Sequence, residues 1–304
     1  MVKDQKNKSN NNLCFQQVEH FIRHLEVEKN YAVNTVDAYR RDLTKLLRFF
    51  ERKNVASWCD IDEKTLNLHV MELRHANTSS RSIRRHLSSI RGLFSYLLRN
   101  DLVSENFAEL VVSPKLSQEL PKTIDFEQIN KMTQLKSNRL DELRDVAMIE
   151  LMYSCALRVS ELVGVNIADV DVTEGFVKIM GKGAKARYSP VGQSAIEAIK
   201  RYLSKRPPSD SDALFVNQKQ NRISVRSVQN IVKKRAFDVG ITFSVHPHMI
   251  RHAAATHFLQ SSHDLRSVQE FLGHKSIKST QVYTHLDFLE LSKVYDECHP
   301  RAKK

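Results

Sequence analysis

The stretch that most limits how this chain can fold is residues 112–123, VSPKLSQELPKT, which contains two prolines and no helical periodicity. Proline lacks a backbone donor and disfavours helix at the residue before it, so this stretch is typical of a linker. The sequences on either side are long enough for a core each. We therefore predict a disordered N-terminus over residues 1–12, a helical domain over 13–112, a linker over 113–123 and a second domain over 124–304.

The first domain is predicted to consist of four helices, because apolar residues recur at spacings of three and four in four segments. Asn34 is the predicted N-cap of the second helix, and Ser79 begins the fourth. The solvent side of the fourth helix carries Arg81, Arg84, Arg85 and Arg91. Such a cluster suits contacts with phosphate groups, although a basic helix face is also commonly just solvated.

The second domain changes its apolar period partway along. Residues 176–180, FVKIM, alternate as a strand does, and GKGAK at 181–185 is a predicted turn into a partner strand over 186–191. Helical periodicity occurs on both sides of this hairpin, and Pro247 suits the first turn of a helix. The predicted fold class is mainly α, in two domains, with a small antiparallel β-sheet in the second.

Charge favours a polyanionic partner. The 304 residues include 47 Lys and Arg against 35 Asp and Glu, a formal net charge of +12, and such an excess favours nucleic acid binding through counterion release. Four widely spaced cysteines indicate neither a zinc cluster nor a disulfide framework. No apolar run approaches the roughly 20 residues that a bilayer requires, so we expect a soluble cytoplasmic protein.

Six polar residues of the second domain are candidates for catalysis. They are Arg158, Lys182, His248, Arg251, His274 and Tyr283. Each has an ordinary explanation alone: Arg158 could pair with Glu161, for example, and Lys182 lies in a turn between glycines. On a helix that starts at Pro247, however, His248 and Arg251 share one face.

The six side chains together suit phosphoryl transfer to a tyrosine. A phenol with a pKa of about 10 attacks at neutral pH only if cations and donors surround it and its electrophile. Two arginine forks can bind the non-bridging oxygens of a phosphate, and a lysine or histidine can protonate the leaving hydroxyl. Because these groups supply the charge that Mg²⁺ supplies elsewhere, we predict no metal and no cofactor.

Five motifs together resemble the tyrosine recombinase family. They are LRVSEL with Arg158, GKGAK with Lys182, HMIRH with His248 and Arg251, LGH with His274, and STQVYTH with Tyr283, in the family's order and spacing. Other stretches, such as LPKTIDFEQINKM and LDFLELSKVYDECHP, are similar to the Xer site-specific recombinases and most of all to the XerC group. The chain departs from the family at Ala156, where glycine is usual, at Ala254, where an aromatic residue is usual, and at Ala186, where glutamate is usual.

The resemblance implies a site-specific recombinase whose SAM-like, core-binding N-terminal domain and catalytic domain clamp double-stranded DNA. It implies that Tyr283 forms a 3′-phosphotyrosine while Arg158 and Arg251 bind the phosphate. Lys182 would then protonate the leaving oxygen, with His248 and His274 supporting proton transfer. Exchange through a Holliday junction at a dif-like site would resolve chromosome dimers during cell division and segregation.

The resemblance also implies partners. These are an XerD-like paralogue in a heterotetramer and the septal DNA translocase FtsK as regulator. The C-terminal segment around residues 288–295 would dock on a neighbouring protomer.

Several alternatives share part of this pattern. A type IB topoisomerase has the same tyrosine chemistry, and an XerD paralogue or a mobile-element integrase has the same motifs. A DNA-binding protein with an inactive site is a further alternative. A metal protein would use His246, His248, His252 and His257, but no acidic residue stands between them as in HExxH.

Overall fold

The computed structural model describes residues 2–115, 122–181, 186–272 and 294–302, except the side chains of residues 2–12 and 265. The chain divides into two compact units, Met1–Glu119 and Leu120–Lys304. Within the described residues, no helix combines the length and the apolarity needed to cross a membrane.

The first unit is built from four helices, as predicted. They are α1 (Val2–Val27), α2 (Val33–Lys53), α3 (Glu63–His75) and α4 (Ser80–Arg99). Side chains cap two of them: Asp62 accepts from the backbone N–H of Thr65 at the start of α3, and Ser79 accepts from that of Ser82 at the start of α4. Their apolar faces enclose a core that includes Leu43, Phe49 and Phe94, each fully buried.

Two helix starts in this unit differ from the prediction. The helix α1 already begins at Val2, whereas the sequence predicted disorder over residues 1–12. That stretch contains no proline or glycine to interrupt a helix that the apolar residues beyond it specify. The N-cap of α2 is Ala32 rather than Asn34, and no side chain bonds its free N–H groups.

The basic face predicted for α4 is divided by its contacts. Arg85 forms two hydrogen bonds with the buried carboxylate of Asp42, at 2.8 and 3.0 Å. Arg91 donates to the carbonyls of Ala108 and Val111, which ties α4 to the end of the unit. Arg85 and Arg91 therefore have structural partners inside the protein. Arg81, Arg84 and Arg85 are exposed, but Arg85 is already paired with Asp42.

The second unit combines helices with three strands among the described residues. In chain order they are α5 (Phe126–Thr133), α6 (Leu140–Ser154), α7 (Val159–Gly164), β1 (Val170–Asp171), β2 (Phe176–Met180), β3 (Ala186–Pro190), α8 (Gln193–Lys205), α9 (Val225–Asp238), α10 (Pro247–Ser262) and α11 (Leu265–Leu272). The described residues 294–298 are also helical. Mainly helical architecture with a small antiparallel sheet confirms the predicted fold class.

The predicted hairpin is present, with one extra short strand. β2 pairs with β3 so that Val177 lies opposite Ser189 and Ile179 opposite Arg187. The two-residue strand β1, which the sequence did not predict, pairs with the other edge of β2. Directly opposed residues share a face of the sheet, so Arg187 lies on the face that buries Ile179.

The helix α6 is the centre of the second unit. Every residue from 146 to 157 is buried, so the C-terminal part of this helix is covered on all sides, as expected at the middle of a core. Its neighbours include α5, α8 and α10. The position of α6 therefore fixes whatever follows its C-terminal end.

A tight turn of residues 154–158 ends α6, and we call it the arginine turn because it leads to Arg158. The N–H of Leu157 donates to the carbonyl of Met152 at 3.1 Å, while Ala156 has a φ of 45°. This is a Schellman C-cap, in which the left-handed position usually holds glycine because a Cβ is strained there. The resemblance predicts glycine at this position, and the left-handed conformation of Ala156 explains that expectation.

Substitutions at Ala156 test this strain. Glycine removes a left-handed penalty of about 1 kcal/mol but loses a similar amount of backbone entropy on folding, so we expect the free energy of unfolding to change by less than about 1 kcal/mol. Ala156→Val should destabilise by about 2–4 kcal/mol, because it adds a β-branched residue at positive φ and overpacks a buried position. Urea denaturation measures both changes.

Ala195→Val is the matched control, since Ala195 is equally buried but lies in the regular helix α8. It carries the overpacking without the left-handed strain. Equal losses at Ala156 and Ala195 would contradict the assignment of strain to this turn.

Candidate active site

The arginine turn places Arg158 at the start of α7. Arg158 is the N-cap residue of that helix, and its backbone N–H donates to Oε2 of Glu161 at 2.8 Å. Its guanidinium NH1 donates to Oε1 of the same carboxylate at 2.7 Å. The side chain remains 40% exposed, so part of the guanidinium faces solvent while the rest is held.

Arg251 reaches the same carboxylate from α10. Pro247 occupies the first turn of this helix, as the sequence predicted, and Arg251 follows one turn later with a side chain only 9% exposed. Its NH1 donates to the carbonyl of Ala156 and lies 3.7 Å from Oε2 of Glu161. Its NH2 donates to the carbonyl of Leu272, at the end of α11, at 2.7 Å.

Burial changes the electrostatics of Arg251. Desolvation is the larger effect and the nearby charge of Arg158 the next, and together they lower the pKa of Arg251 to about 10. The guanidinium is still protonated at neutral pH. Arg251 is a buried cation that has carbonyl partners and a second cation beside it. Binding of an anion would therefore stabilise its charge.

Arg187 is a third arginine of this cluster and is not among the six predicted residues. It lies on β3 with its side chain 12% exposed, and its NH2 is 3.3 Å from Oε2 of Glu161. Burial lowers its pKa from the usual arginine value. The signal was available in the hairpin, because a turn over 181–185 pairs residue 187 with the buried Ile179.

The carboxylate of Glu161 is the common partner of all three arginines. Burial acts to raise its pKa, but the N–H of Arg158 and the charges of Arg187 and Arg158 outweigh that effect, so its pKa lies below the usual glutamate value. Three guanidiniums against one carboxylate leave a net positive charge. The cluster therefore suits a bound dianion or a phosphodiester.

The structure brings together two of the six predicted residues and places a third beside them. Arg158 and Arg251 meet around Glu161, which confirms neither residue's catalytic role but does place both in one cluster. His248 is exposed one turn before Arg251 on α10. Lys182, His274 and Tyr283 lie outside the described residues.

The alternative of a histidine metal site gains no support from the geometry. In the described parts of the chain, no three His, Cys, Asp or Glu side chains come together as metal ligands. The rings of His246 and His248 are 6.3 Å apart, whereas His257 bonds Tyr153 through Nδ1 at 2.8 Å.

Comparison with known proteins identifies the family. The phage integrase family matches residues 122–290, and the phage integrase N-terminal SAM-like domain matches residues 18–101. The chain is 43% identical over 295 residues to the tyrosine recombinase XerC of Pseudomonas fluorescens, a match that covers 95% of this chain and 98% of that protein. It is 40% identical over 291 residues to the tyrosine recombinase XerC of Yersinia pestis, covering 95% and 96% of the two chains.

Solved structures agree with this comparison. The XerH site-specific recombinase in its post-cleavage complex with a palindromic difH substrate matches with a TM-score of 0.68 and 25% identity, over 88% of this chain and 81% of that one. A λ integrase dimer bound to a COC′ core site has a TM-score of 0.69, covering 88% of this chain and 98% of that one, and its 14% identity makes it a likeness of fold alone. The present chain belongs to the phage integrase family and is a tyrosine recombinase, an enzyme that exchanges DNA strands, as its motifs predicted.

Glu161→Gln tests the cluster. The variant keeps the size and an acceptor for the Arg158 N–H but removes the charge that the three arginines share. We expect it to lower the free energy of unfolding by about 3 kcal/mol, since breaking a buried ion pair leaves uncompensated charge. Chemical denaturation of both proteins measures the difference.

Glu127→Gln is the control, because Glu127 pairs with Lys131 on the exposed face of α5 at 2.8 Å. Exposed helix pairs of this kind contribute little, so its stability should be nearly unchanged. If Glu161→Gln were equally mild, the carboxylate would not be what holds the arginines together.

Proposed function

We propose that this tyrosine recombinase resolves chromosome dimers at a dif-like site, by cutting and rejoining double-stranded DNA through a 3′-phosphotyrosine at Tyr283. The support from the structure is the arginine cluster around Glu161, which presents fixed positive charge on the second unit. The support from the comparisons is the similarity to XerC proteins over nearly the full chain and to an XerH structure that contains a difH substrate.

The arginines act on the scissile phosphate. Arg158 has an exposed part that can reach a non-bridging oxygen, and Arg251 is held in place by two carbonyls before any substrate binds. Charge that is already oriented requires little reorganisation when the pentavalent transition state forms. Glu161 and Arg187 act through the two others, by fixing where they lie.

The remaining predicted residues complete the reaction. Tyr283 is the nucleophile, and Lys182 gives its proton to the departing 5′ oxygen, because an ammonium can lose a proton that a guanidinium retains. His248 and His274 support proton transfer and the charge of the transition state. Since each step exchanges one phosphodiester for another, the chemistry itself requires neither ATP nor a metal ion.

Strand exchange needs more than one active site. We assign this chain to a heterotetramer with an XerD-like paralogue that joins two dif-like sites through a Holliday junction, under the control of the septal translocase FtsK. The site of action is then the cytoplasm, where the chromosome lies. The net charge of +12 suits a protein that encloses DNA.

Tyr283→Phe tests the proposed chemistry. A dif-like duplex with a nick beside the cleavage position traps the covalent intermediate, because the released fragment diffuses away. We expect the wild type to form a denaturant-resistant protein–DNA adduct and Tyr283→Phe to form none, while both bind the duplex with equal affinity. Only the nucleophilic oxygen is lost.

Tyr31→Phe is the control, as Tyr31 is a half-exposed tyrosine of the first unit. It should form the adduct at the wild-type rate. An adduct with Tyr283→Phe would contradict the assignment of the nucleophile. Relaxation of a supercoiled plasmid by the wild type alone would favour the topoisomerase alternative.

A further inference from the structure

The end of the chain packs deep into its own second unit. We call residues 294–302 the C-terminal strap. Its side chains Tyr295, His299 and Arg301 are 1%, 4% and 8% exposed, and the ring of Tyr295 stacks on that of His299 with centroids 4.4 Å apart. The segment around 288–295 is predicted to dock on a neighbouring protomer; its residues 288–293 lie outside the described residues, and Tyr295 is buried in the second unit.

The strap is held by the side chain of Arg301 and by close packing over Gly192. Arg301 donates to Asn130 at 2.6 Å and to Thr133 at 3.1 Å, and it pairs with the buried Glu150 at 2.9 Å. Gly192 lies under the strap, where an added Cβ would come within 2.4 Å of the carbonyl oxygen of Arg301. The strap is therefore held against α5 and α6 without any help from the hydroxyl of Tyr295.

That hydroxyl bonds a residue of the arginine turn, and the backbone N–H of Gly192 also acts on it. The Tyr295 hydroxyl and Ser154 Oγ are 2.7 Å apart, and the N–H of Gly192 donates to the same Ser154 Oγ at 2.7 Å. Ser154 is the last residue of α6 and is fully buried. One serine oxygen thus links α6, the residue before α8 and the strap.

The position of Ser154 controls the geometry of the candidate active site. Ser154 begins the arginine turn, whose Ala156 carbonyl accepts from Arg251 and whose last residue is Arg158. Only Cys155 separates Ser154 from Ala156. A shift of Ser154 therefore moves the carbonyl that holds Arg251 and the backbone that carries Arg158.

Packing alone does not require a hydroxyl at residue 295. Phe258 and Phe271 surround the ring at centroid distances of 6.2 and 6.0 Å, and a phenylalanine would fill the same space. A buried hydroxyl is tolerated because it is bonded, and the bond adds direction that an apolar contact lacks.

We propose that Tyr295 is a positioning residue for the recombination reaction: its hydroxyl, through Ser154, sets the arginine turn so that Arg158 and Arg251 meet the scissile phosphate. The inference rests on the proposed function of the arginine cluster. The connection between residue 295 and the two arginines runs through the buried Ser154 Oγ.

The experiment compares Tyr295→Phe with Tyr202→Phe. Tyr202 is also fully buried, and its hydroxyl accepts from the N–H of Val216 at 3.4 Å on another side of the core. Each variant loses one buried, hydrogen-bonded hydroxyl and keeps its aromatic ring. Three quantities are measured: the free energy of unfolding, the affinity for a dif-like duplex, and the single-turnover rate of adduct formation on the nicked duplex.

We expect both variants to bind DNA like the wild type and to lose similar, small amounts of stability. Tyr295→Phe should nevertheless form the adduct at least about tenfold more slowly than Tyr202→Phe, because misplacement of the arginines affects the transition state and not binding. Ser154→Ala should slow the reaction as well. A variant that combines Ser154→Ala with Tyr295→Phe should form the adduct no more slowly than Ser154→Ala alone, because both substitutions break the same hydrogen-bonded link.

Two outcomes overturn the inference in distinguishable ways. If the wild type forms the adduct and Tyr295→Phe matches Tyr202→Phe within about twofold, the tyrosine is structural and only this inference is wrong. If the double variant loses as much rate as the two single variants combined, Tyr295 and Ser154 act independently and the inference is likewise wrong. If the wild type forms no adduct, the proposed function fails and the inference fails with it.

Discussion

The attraction between one buried carboxylate and three arginines is the interaction on which the second unit depends. Glu161 is 6% exposed at its side chain and lies within 4 Å of guanidiniums from the arginine turn, from β3 and from α10. Three buried or half-buried cations would repel one another without it. With it, three elements that are distant in sequence share a fixed point, and the cluster keeps an excess of positive charge toward solvent. That excess is what a phosphodiester can use.

The core around α6 turns this electrostatic arrangement into a rigid one. Because the C-terminal part of this helix is buried on every side, packing alone sets the position of its last turn. The Schellman turn at Ala156 then directs the chain to Arg158 and turns a carbonyl toward Arg251. Alanine fits this turn only with a strained backbone, whereas glycine has no Cβ and avoids that strain.

Much of this could be predicted from the sequence, and the limits have physical causes. Periodicity predicted the helices and the hairpin, and local chemistry predicted the start of α4 at Ser79 but placed the cap of α2 at Asn34 instead of Ala32. Motifs brought Arg158 and Arg251 into one site. The hairpin register could have added Arg187. The link from Tyr295 to Ser154 joins residues 141 positions apart, and no local pattern specifies such a contact. The predicted roles of Lys182, His274 and Tyr283 concern residues outside the described structure and stay predictions.

The central claim is that Arg158 and Arg251 bind the scissile phosphate through paired N–H donors, and lysine substitution tests it most directly. Single-turnover cleavage of a nicked dif-like duplex is measured for Arg158→Lys, Arg251→Lys and the control Arg206→Lys, whose guanidinium donates to the carbonyls of Ser211, Ala213 and Leu214. We expect cleavage to fall by at least about 100-fold in the first two, because an ammonium cannot form the planar fork, with DNA affinity within about threefold of the wild type. The control should cleave normally. Cleavage within about threefold of the wild type in both Arg158→Lys and Arg251→Lys would contradict the account.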